Sequence, residues 1–436
     1  MNNGQKLWKE AITIIPGGNG LLSKRPDRYA KDLWPVYFSK AKGCKIWDLD
    51  GNEYIDMAQN GIGTAILGYS DDDVNSAVIS AINDGVNTTL NAPEEVPLAK
   101  KLLDLNPTMS GVKFARGGGE AMSLAIRIAR AHTKRDKVAF SGYHGWSDWY
   151  LATNLKSDSN LDEHLLPGLE PSGVPAGLAG TAIPFRYNDI NDFKRILKEN
   201  EDIGLIVLEG ARYDFPTEEF LKTIEQESKK KDIIVVVDEI TSGLRINDSG
   251  VYRIFDFDPD IAVYGKALGN GFAISAVVGK KDVMDAAQDT FISSTMWTER
   301  VGFVAGLATL NKLCDKKVYE HLIEMGTYVG EGWLKLAKKH NLDLTITDYK
   351  PLATFKLNYA EDNNAIITLF IQEMLKRGYL AATSIYLTYA HSKSIIDKYL
   401  ICVDEVFELL SNSIKNDNVL EKLETAIRTD MFKRLN

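Results

Sequence analysis

The feature that most restricts the fold is a series of short, unbroken apolar runs: VAF at 138–140, GLIVL at 204–208, IIVVV at 233–237, IAV at 261–263 and AISAVV at 273–278. A strand with one wet face alternates polar and apolar residues. A run apolar at every position needs cover on both faces. Helix-length stretches separate several of these runs, residues 218–231 for example. Strand, helix, strand in succession predicts an α/β fold: a largely parallel sheet flanked by helices, because parallel neighbours need a crossover. Helical spacing recurs at Val74, Ala77, Val78, Ala81 and Ile82. It recurs again at Ala121, Leu124, Ala125, Ile128 and Ala129, directly after Gly117-Gly118-Gly119.

The two ends of the chain read differently. A helix over 6–15 stops at Pro16-Gly17-Gly18, and strands at 45–48 and 53–57 flank the turn Asp50-Gly51. From about Val301 a long helical stretch to 339 precedes strands near 342–346 and 353–357, a helix near 363–377 and a last helix from about Val406. These ends are expected to form one smaller α+β domain. Residues 1–65 supply its N-terminal part, 66–310 form the large domain, and 311–436 complete the small one.

Composition narrows the function. Lys plus Arg number 51 against 60 Asp plus Glu, a formal charge of -9, which argues against a protein built to grip nucleic acid, since that needs a basic face. Cys44, Cys314 and Cys402 are too few and scattered for a disulfide framework. The first ten residues are polar, and no apolar run could span a bilayer. A cytoplasmic protein without a membrane partner is expected. The six histidines include no close ligand pair, so no metal site is expected.

Ligands of open α/β sheets gather beyond the carboxyl ends of the strands. The residues there are Asp238 and Glu239, Tyr264-Gly265-Lys266, Glu209, and Ser141-Gly142-Tyr143-His144, with the triple glycine before its helix. Each has an ordinary reading. A strand-end lysine is usually solvated, an aspartate usually caps or turns, and a triple glycine is usually a turn. Together they fit pyridoxal phosphate. That cofactor needs a lysine for its imine, an acid beside its pyridine nitrogen, cover on both ring faces and a phosphate cradle. Lys266 offers the imine and Asp238 the acid. Tyr143 and Ile240 offer ring cover, and the N–H groups of Gly118, Gly119 and Glu120 offer an anion site at a helix start. Gly265, Gly269 and Gly271 would let the backbone near Lys266 come close.

Four segments then carry a family resemblance: WDLDGNEYID at 47–56, Tyr143-His144-Gly145, DEITSGLR at 238–245 and GKALGNG at 265–271. In this order and spacing the chain resembles the class III aminotransferases of fold type I, glutamate semialdehyde aminomutase and its relatives among them. The resemblance implies Lys266 as the Schiff-base lysine and Asp238 as the pyridine-nitrogen partner. It implies Tyr143 as the stacking ring, with His144 beside it, and Glu209 as an acid near the ring hydroxyl. Gly118 and Gly119 fall in the phosphate loop, and Thr295 would reach the phosphate of a second subunit. A homodimer with the site at its interface follows.

The departures concern the substrate. The family's usual Ser-Gly-Thr-Glu-Ala is Gly117-Gly118-Gly119-Glu120-Ala121 here, Gly210 stands where proline is usual, and Thr298-Glu299-Arg300 replaces a common Gly-Asn-Pro. Arg25, Arg28 and Arg212 are candidates to bind a substrate anion. Trp34, Tyr37, Trp146, Trp149 and Trp297 are candidates to line a cleft, although packing explains any single one of them as well. The expected activity is amino transfer between a small amine or amino acid and a carbonyl acceptor. The alternative is intramolecular migration by an aminomutase, whose C-terminal glutamate holds the intermediate; the corresponding stretch here, 379–391, has no acidic residue. A non-catalytic nucleotide-binding α/β protein is the remote alternative, and the glycine loop lacks the Gly-Lys-Ser/Thr that reading needs.

Overall fold

The apolar runs become neighbours in one seven-stranded sheet: β1 (Gly111–Ala115), β2 (Lys137–Ser141), β3 (Ala182–Pro184), β4 (Ile203–Glu209), β5 (Ile234–Asp238), β6 (Ile261–Tyr264) and β7 (Ser275–Gly279). Their order is β1-β7-β6-β5-β4-β2-β3. The pairs from β6 through β3 are parallel, and β7 runs antiparallel to both its neighbours. This is a computed structural model of the chain, describing residues 1–432 apart from 158, 165 and 360–362. Every residue of β4, β5 and β7 is buried, as continuous apolar strands require.

Helices cover the sheet because their apolar stripes have nowhere else to go. The helix Gly118–Thr133 buries Ala121, Leu124, Ala125, Ile128 and Ala129, which join Phe140, Leu205, Val236 and Val263 in one core cluster. The helix Glu218–Lys231 is capped by the Thr217 side chain, with Glu218 and Glu219 in its first turn and three lysines in its last. Those charges oppose the helix dipole at both ends.

The chain divides into two compact units, Asp72–Tyr319 and Met1–Asp71 with Glu320–Asn436. In the second unit the hairpin strands Lys45–Asp48 and Glu53–Met57 form as expected. They are joined by Phe38–Lys42 on one side and, in parallel, by Tyr379–Ala381 on the other. A three-stranded sheet of Leu344–Ile346, Leu352–Leu357 and Ser384–Tyr386 lies in the same unit, with the helices Asn363–Lys376 and Lys393–Lys415.

Three expectations change. The helical stretch 301–339 is two helices, Arg300–Asp315 and Val318–His340, parted at Lys317 with φ 47°. No glycine or proline marks that break. The last helix begins at Lys393, well before Val406, since its first turns bury only Ile396 and Tyr399. The unit boundaries fall at 71/72 and 319/320 rather than at 65/66 and 310/311. The helix Arg300–Asp315 stays with the large unit because it packs on Asp72–Asp84 and on the turn Lys266–Gly269. Among the described residues no helix is long and apolar enough to cross a membrane.

Candidate active site

The parallel register sets the site. Glu209 pairs with Asp238, Asp238 with Val263, and Ser141 with Leu208, so the chemistry-bearing residues leave the sheet along one edge. Beyond β6 the chain turns at Gly265, and Lys266 takes a left-handed φ of 40° as it enters a short 3-10 turn. That conformation is unfavourable for a residue with a Cβ. It aims the side chain at the neighbouring strand end, where Nζ donates to Thr241 Oγ1 at 2.7 Å. Burial brings the lysine amine down to about 7, helped by the positive charges of Arg212 and Arg245 and opposed by Asp238 and Glu209. A substantial fraction is therefore neutral, and nucleophilic, at physiological pH.

Asp238 is 5% exposed. Its Oδ1 accepts from Ile240 N at 3.0 Å, and its Oδ2 lies 2.9 Å from His144 Nδ1. His144 Nε2 lies 3.1 Å from the Ser141 carbonyl, which can only accept, so Nε2 carries a hydrogen. Nδ1 faces the Asp238 carboxylate. Trp149 lies nearly parallel to the imidazole, 23° between planes, and walls it from water. The carboxylate is thus fixed in position with one oxygen on its own backbone turn and one on the histidine.

Glu209 is held on both oxygens. Arg212 Nη2 pairs with Oε1 at 2.7 Å, and Tyr143 N donates to Oε2 at 3.2 Å. The Arg212 guanidinium lies 5.6 Å from the centroid of the Tyr143 ring. The Tyr143 N–H bond and the contact of Arg212 with the Tyr143 ring therefore tie the end of β4 to the loop after β2.

The helix start completes the site. The first intrahelical bond runs from Ala121 N to Gly117 O at 2.9 Å, so the N–H groups of Gly118, Gly119 and Glu120 precede the ladder. The Glu120 carboxylate folds back onto Arg116 N and Gly117 N. A Cβ at Gly118 would stand 3.0 Å from Ile240 Cδ1, and one at Gly119 would stand 3.2 Å from Trp146 Cδ1. Gly145 has φ 101°, and a Cβ there would stand 2.7 Å from Gly119 Cα, so the loop carrying Tyr143 and His144 packs backbone to backbone on the helix start. A partly neutral lysine amine, a fixed buried acid, an aromatic and an apolar side chain, and a side-chain-free N–H cluster are the donor set that pyridoxal phosphate needs. The residues fit the group.

Other expected residues stand elsewhere. Thr295 is exposed on the turn Thr295–Thr298, and Trp297 is partly buried against the core. Arg25 and Trp34 belong to the other unit. There Arg25, 5% exposed, holds both oxygens of Asp27, and Trp34 stacks on Tyr29 at 4.2 Å. Arg28 donates to Thr429 O. Arg212, expected to meet a substrate anion, has Glu209 as a partner. Trp146 is 75% exposed, whereas Trp149 is in the core.

Sequence reasoning assigned no role to Thr241, Arg245 or Glu239. Arg245 is 1% exposed and its Nε donates to Thr241 O at 2.8 Å. Glu239 is buried, its carboxyl pushed up to about 8 by desolvation, and it accepts from Ser242 Oγ and Tyr252 N. The available signal was two charged residues, Glu239 and Arg245, flanking a short uncharged segment just past a buried strand.

A mostly parallel sheet with an enclosed lysine and a histidine-bound aspartate at its carboxyl edge defines an enzyme of the pyridoxal phosphate, fold type I class. The chain belongs to the class-III aminotransferase family, whose shared pattern matches residues 28–375. It is 31% identical over 434 residues to glutamate-1-semialdehyde 2,1-aminomutase from Thermodesulfovibrio yellowstonii, covering 93% of this chain and 99% of that protein. It is 30% identical over 383 residues to 3-aminobutyryl-CoA aminotransferase from Cloacimonas acidaminovorans, covering 85% and 88%. The fold matches the solved FumI protein of Sphingopyxis sp. MTA144 with a TM-score of 0.86 at 24% identity, over 98% of this chain and 99% of that one. It also matches an omega-transaminase from Sphaerobacter thermophilus, with a TM-score of 0.82 at 23% identity over 94% and 98%. The protein is a pyridoxal phosphate-dependent enzyme of amino-group transfer.

Proposed function

We propose that this enzyme moves an amino group between two separate molecules, a small amine or amino acid donor and a carbonyl acceptor, as a cytoplasmic homodimer. The observation that carries the reading is Lys266: an amine brought down to about 7 beside a buried acid at a sheet edge. Pyridoxal phosphate, when bound, supplies a carbonyl carbon that condenses with amines and a cationic ring that accepts an electron pair. Lys266 would hold it through Nζ, and the same nitrogen, when free and neutral, would serve as the base that moves a proton from the substrate carbon. Asp238, held by His144, favours the charged form of the ring nitrogen. Tyr143 and Ile240 would cover the ring, and Glu209 would stand on its hydroxyl side. Gly118, Gly119 and Glu120 would give their N–H groups to the phosphate, and Thr295 would add a hydroxyl to the site of a second copy. Arg25, Trp34, Arg212 and Trp297 are the weaker substrate candidates. Arg25 and Arg212 already hold carboxylates, so an anionic substrate would have to displace Asp27 or Glu209.

The aminomutase is the second reading, supported by the 31% identity to a protein of that name. A mutase must retain its intermediate, and the lack of an acid across 379–391 favours release and a second substrate. A donor screen on the purified enzyme tests the proposal, and 3-aminobutyryl-CoA belongs in it because one relative carries that name. Conversion of the bound cofactor to its amine form by one donor, reversed by a separate keto acceptor, is expected. Rapid isomerisation of glutamate-1-semialdehyde to aminolevulinate with no donor or acceptor added would establish the mutase instead.

A further inference from the structure

Thr241 is held from two sides by basic side chains. Its carbonyl oxygen accepts from Arg245 Nε at 2.8 Å, and its hydroxyl accepts from Lys266 Nζ at 2.7 Å. Arg245 is 1% exposed, and a guanidinium buried that deeply sits at a desolvation cost that the surrounding fold has to offset. The bond to Thr241 O spans four residues and closes the turn after β5, so it fixes where the Thr241 hydroxyl stands. The charges facing Lys266 come from two strand ends: Arg212 and Glu209 at and after β4, and Asp238 and Arg245 at and beyond β5. Arg212 is paired with Glu209 at 2.7 Å, and Asp238 is engaged by His144 at 2.9 Å. The guanidinium of Arg245 is always charged, so its repulsion of a protonated lysine does not fade with pH.

We propose that Arg245 is a positioning residue for Lys266: it closes the turn that presents the Thr241 hydroxyl to Nζ, and its fixed positive charge adds to burial and to Arg212 in favouring the neutral form of that nitrogen. The inference rests on the reading of Lys266 as the residue that carries the cofactor. The two roles have opposite signs on the lysine nitrogen. The Thr241 hydroxyl accepts a hydrogen bond and favours the protonated form. The Arg245 charge disfavours it.

The test is a pH titration of the visible absorbance of the holoenzyme, with borohydride reduction and peptide mapping run in parallel. Arg245→Gln is expected to raise the titration midpoint by about one pH unit, the size of effect one nearby charge produces at an intermediate dielectric. Arg245→Lys keeps the charge and should stay within a few tenths of a unit of the parent. Thr241→Val should lower the midpoint, and Thr241→Ser should restore it. A wild-type midpoint in Arg245→Gln overturns the inference. So does a shift in Arg245→Lys as large as in Arg245→Gln, because that would trace to packing rather than charge. Should Arg245→Gln not fold, the Thr241 pair decides, and equal midpoints in Thr241→Val and Thr241→Ser overturn the proposal. Borohydride labelling at a lysine other than Lys266 would instead overturn the underlying reading of the site.

Discussion

A lysine that must first attack a carbonyl and later accept a proton is useful only while neutral. The enclosure of Lys266 brings its amine down to about 7, so the neutral fraction grows as pH rises through that value. The free-enzyme rate, kcat/KM, should climb between about pH 6 and 8 and level off above, which a pH–rate profile checks. Lys266→Ala should cut steady-state turnover by several orders of magnitude while leaving the thermal transition in place. Asp238→Ala should cost on the order of 10²-fold in kcat. It also frees His144 from its carboxylate partner, so weaker cofactor retention on gel filtration is expected as well. Lys266 and Asp238 were legible from their places after apolar runs. The His144 bond to Asp238 was not, because nothing in the spacing of two loops says which side chains meet.

At the scale of elements, the site depends on how the loop after β2 seats on the helix Gly118–Thr133. Gly145 and Gly119 touch through their backbones, and the positive φ of Gly145 leaves no room for a side chain. Gly145→Ala should push the loop off the helix start, displacing Tyr143 and His144 together. The expected result is a loss of cofactor affinity of tenfold or more, about 1.4 kcal/mol, in a protein that still melts cooperatively; absorbance titration of the stripped enzyme measures it. Strand positions were readable here because burial on both faces keeps β4 and β5 free of charge until their last residues, Glu209 and Asp238. The break between Arg300–Asp315 and Val318–His340 was not, since Lys316 and Lys317 are good helix formers. That chain bends there because the first helix packs on Asp72–Asp84 within the large unit.

At the scale of the molecule, buried titrating groups set the pH dependence of stability. Glu239 keeps its proton up to about 8 in the folded protein, while an unfolded carboxyl loses it near 4.5. Its contribution is therefore whole below about 4.5 and is lost as pH rises through about 8. Glu239→Gln should flatten the decline in apoenzyme Tm between pH 5 and 8, read by calorimetry; an unchanged slope would contradict it. Lys266 acts in the other direction and mostly at higher pH, between about 7 and 10.5, so the two windows overlap only between about 7 and 8. The proposed dimer also belongs to this scale. Phe291 is 85% exposed, Leu90 81% and Ile79 59%, large apolar side chains on the large unit that a second copy would cover. Sedimentation should give twice the 48.5 kDa chain mass. Thr295→Ala should weaken cofactor binding without dissociating that particle.

The amino-acid sequence by itself determined the sheet-forming segments and put forward Lys266, Asp238 and the glycine loop as the candidates for the site. Those are local properties: continuous apolarity selects a doubly covered strand, and a strand end exposes whatever residue comes next. Only the tertiary structure decided which strand ends lie side by side, and with that the pairing of Asp238 with His144, of Glu209 with the Tyr143 N–H, and of Thr241 with Lys266. Strand order and register bring together residues that are distant in the chain, and both are fixed by burial summed over the whole sheet rather than by any one segment. The charge of Lys266 follows the same logic. A lysine in sequence is a cation, and it is the low-dielectric surroundings and two neighbouring guanidinium groups, supplied by other elements, that make it a base near neutral pH.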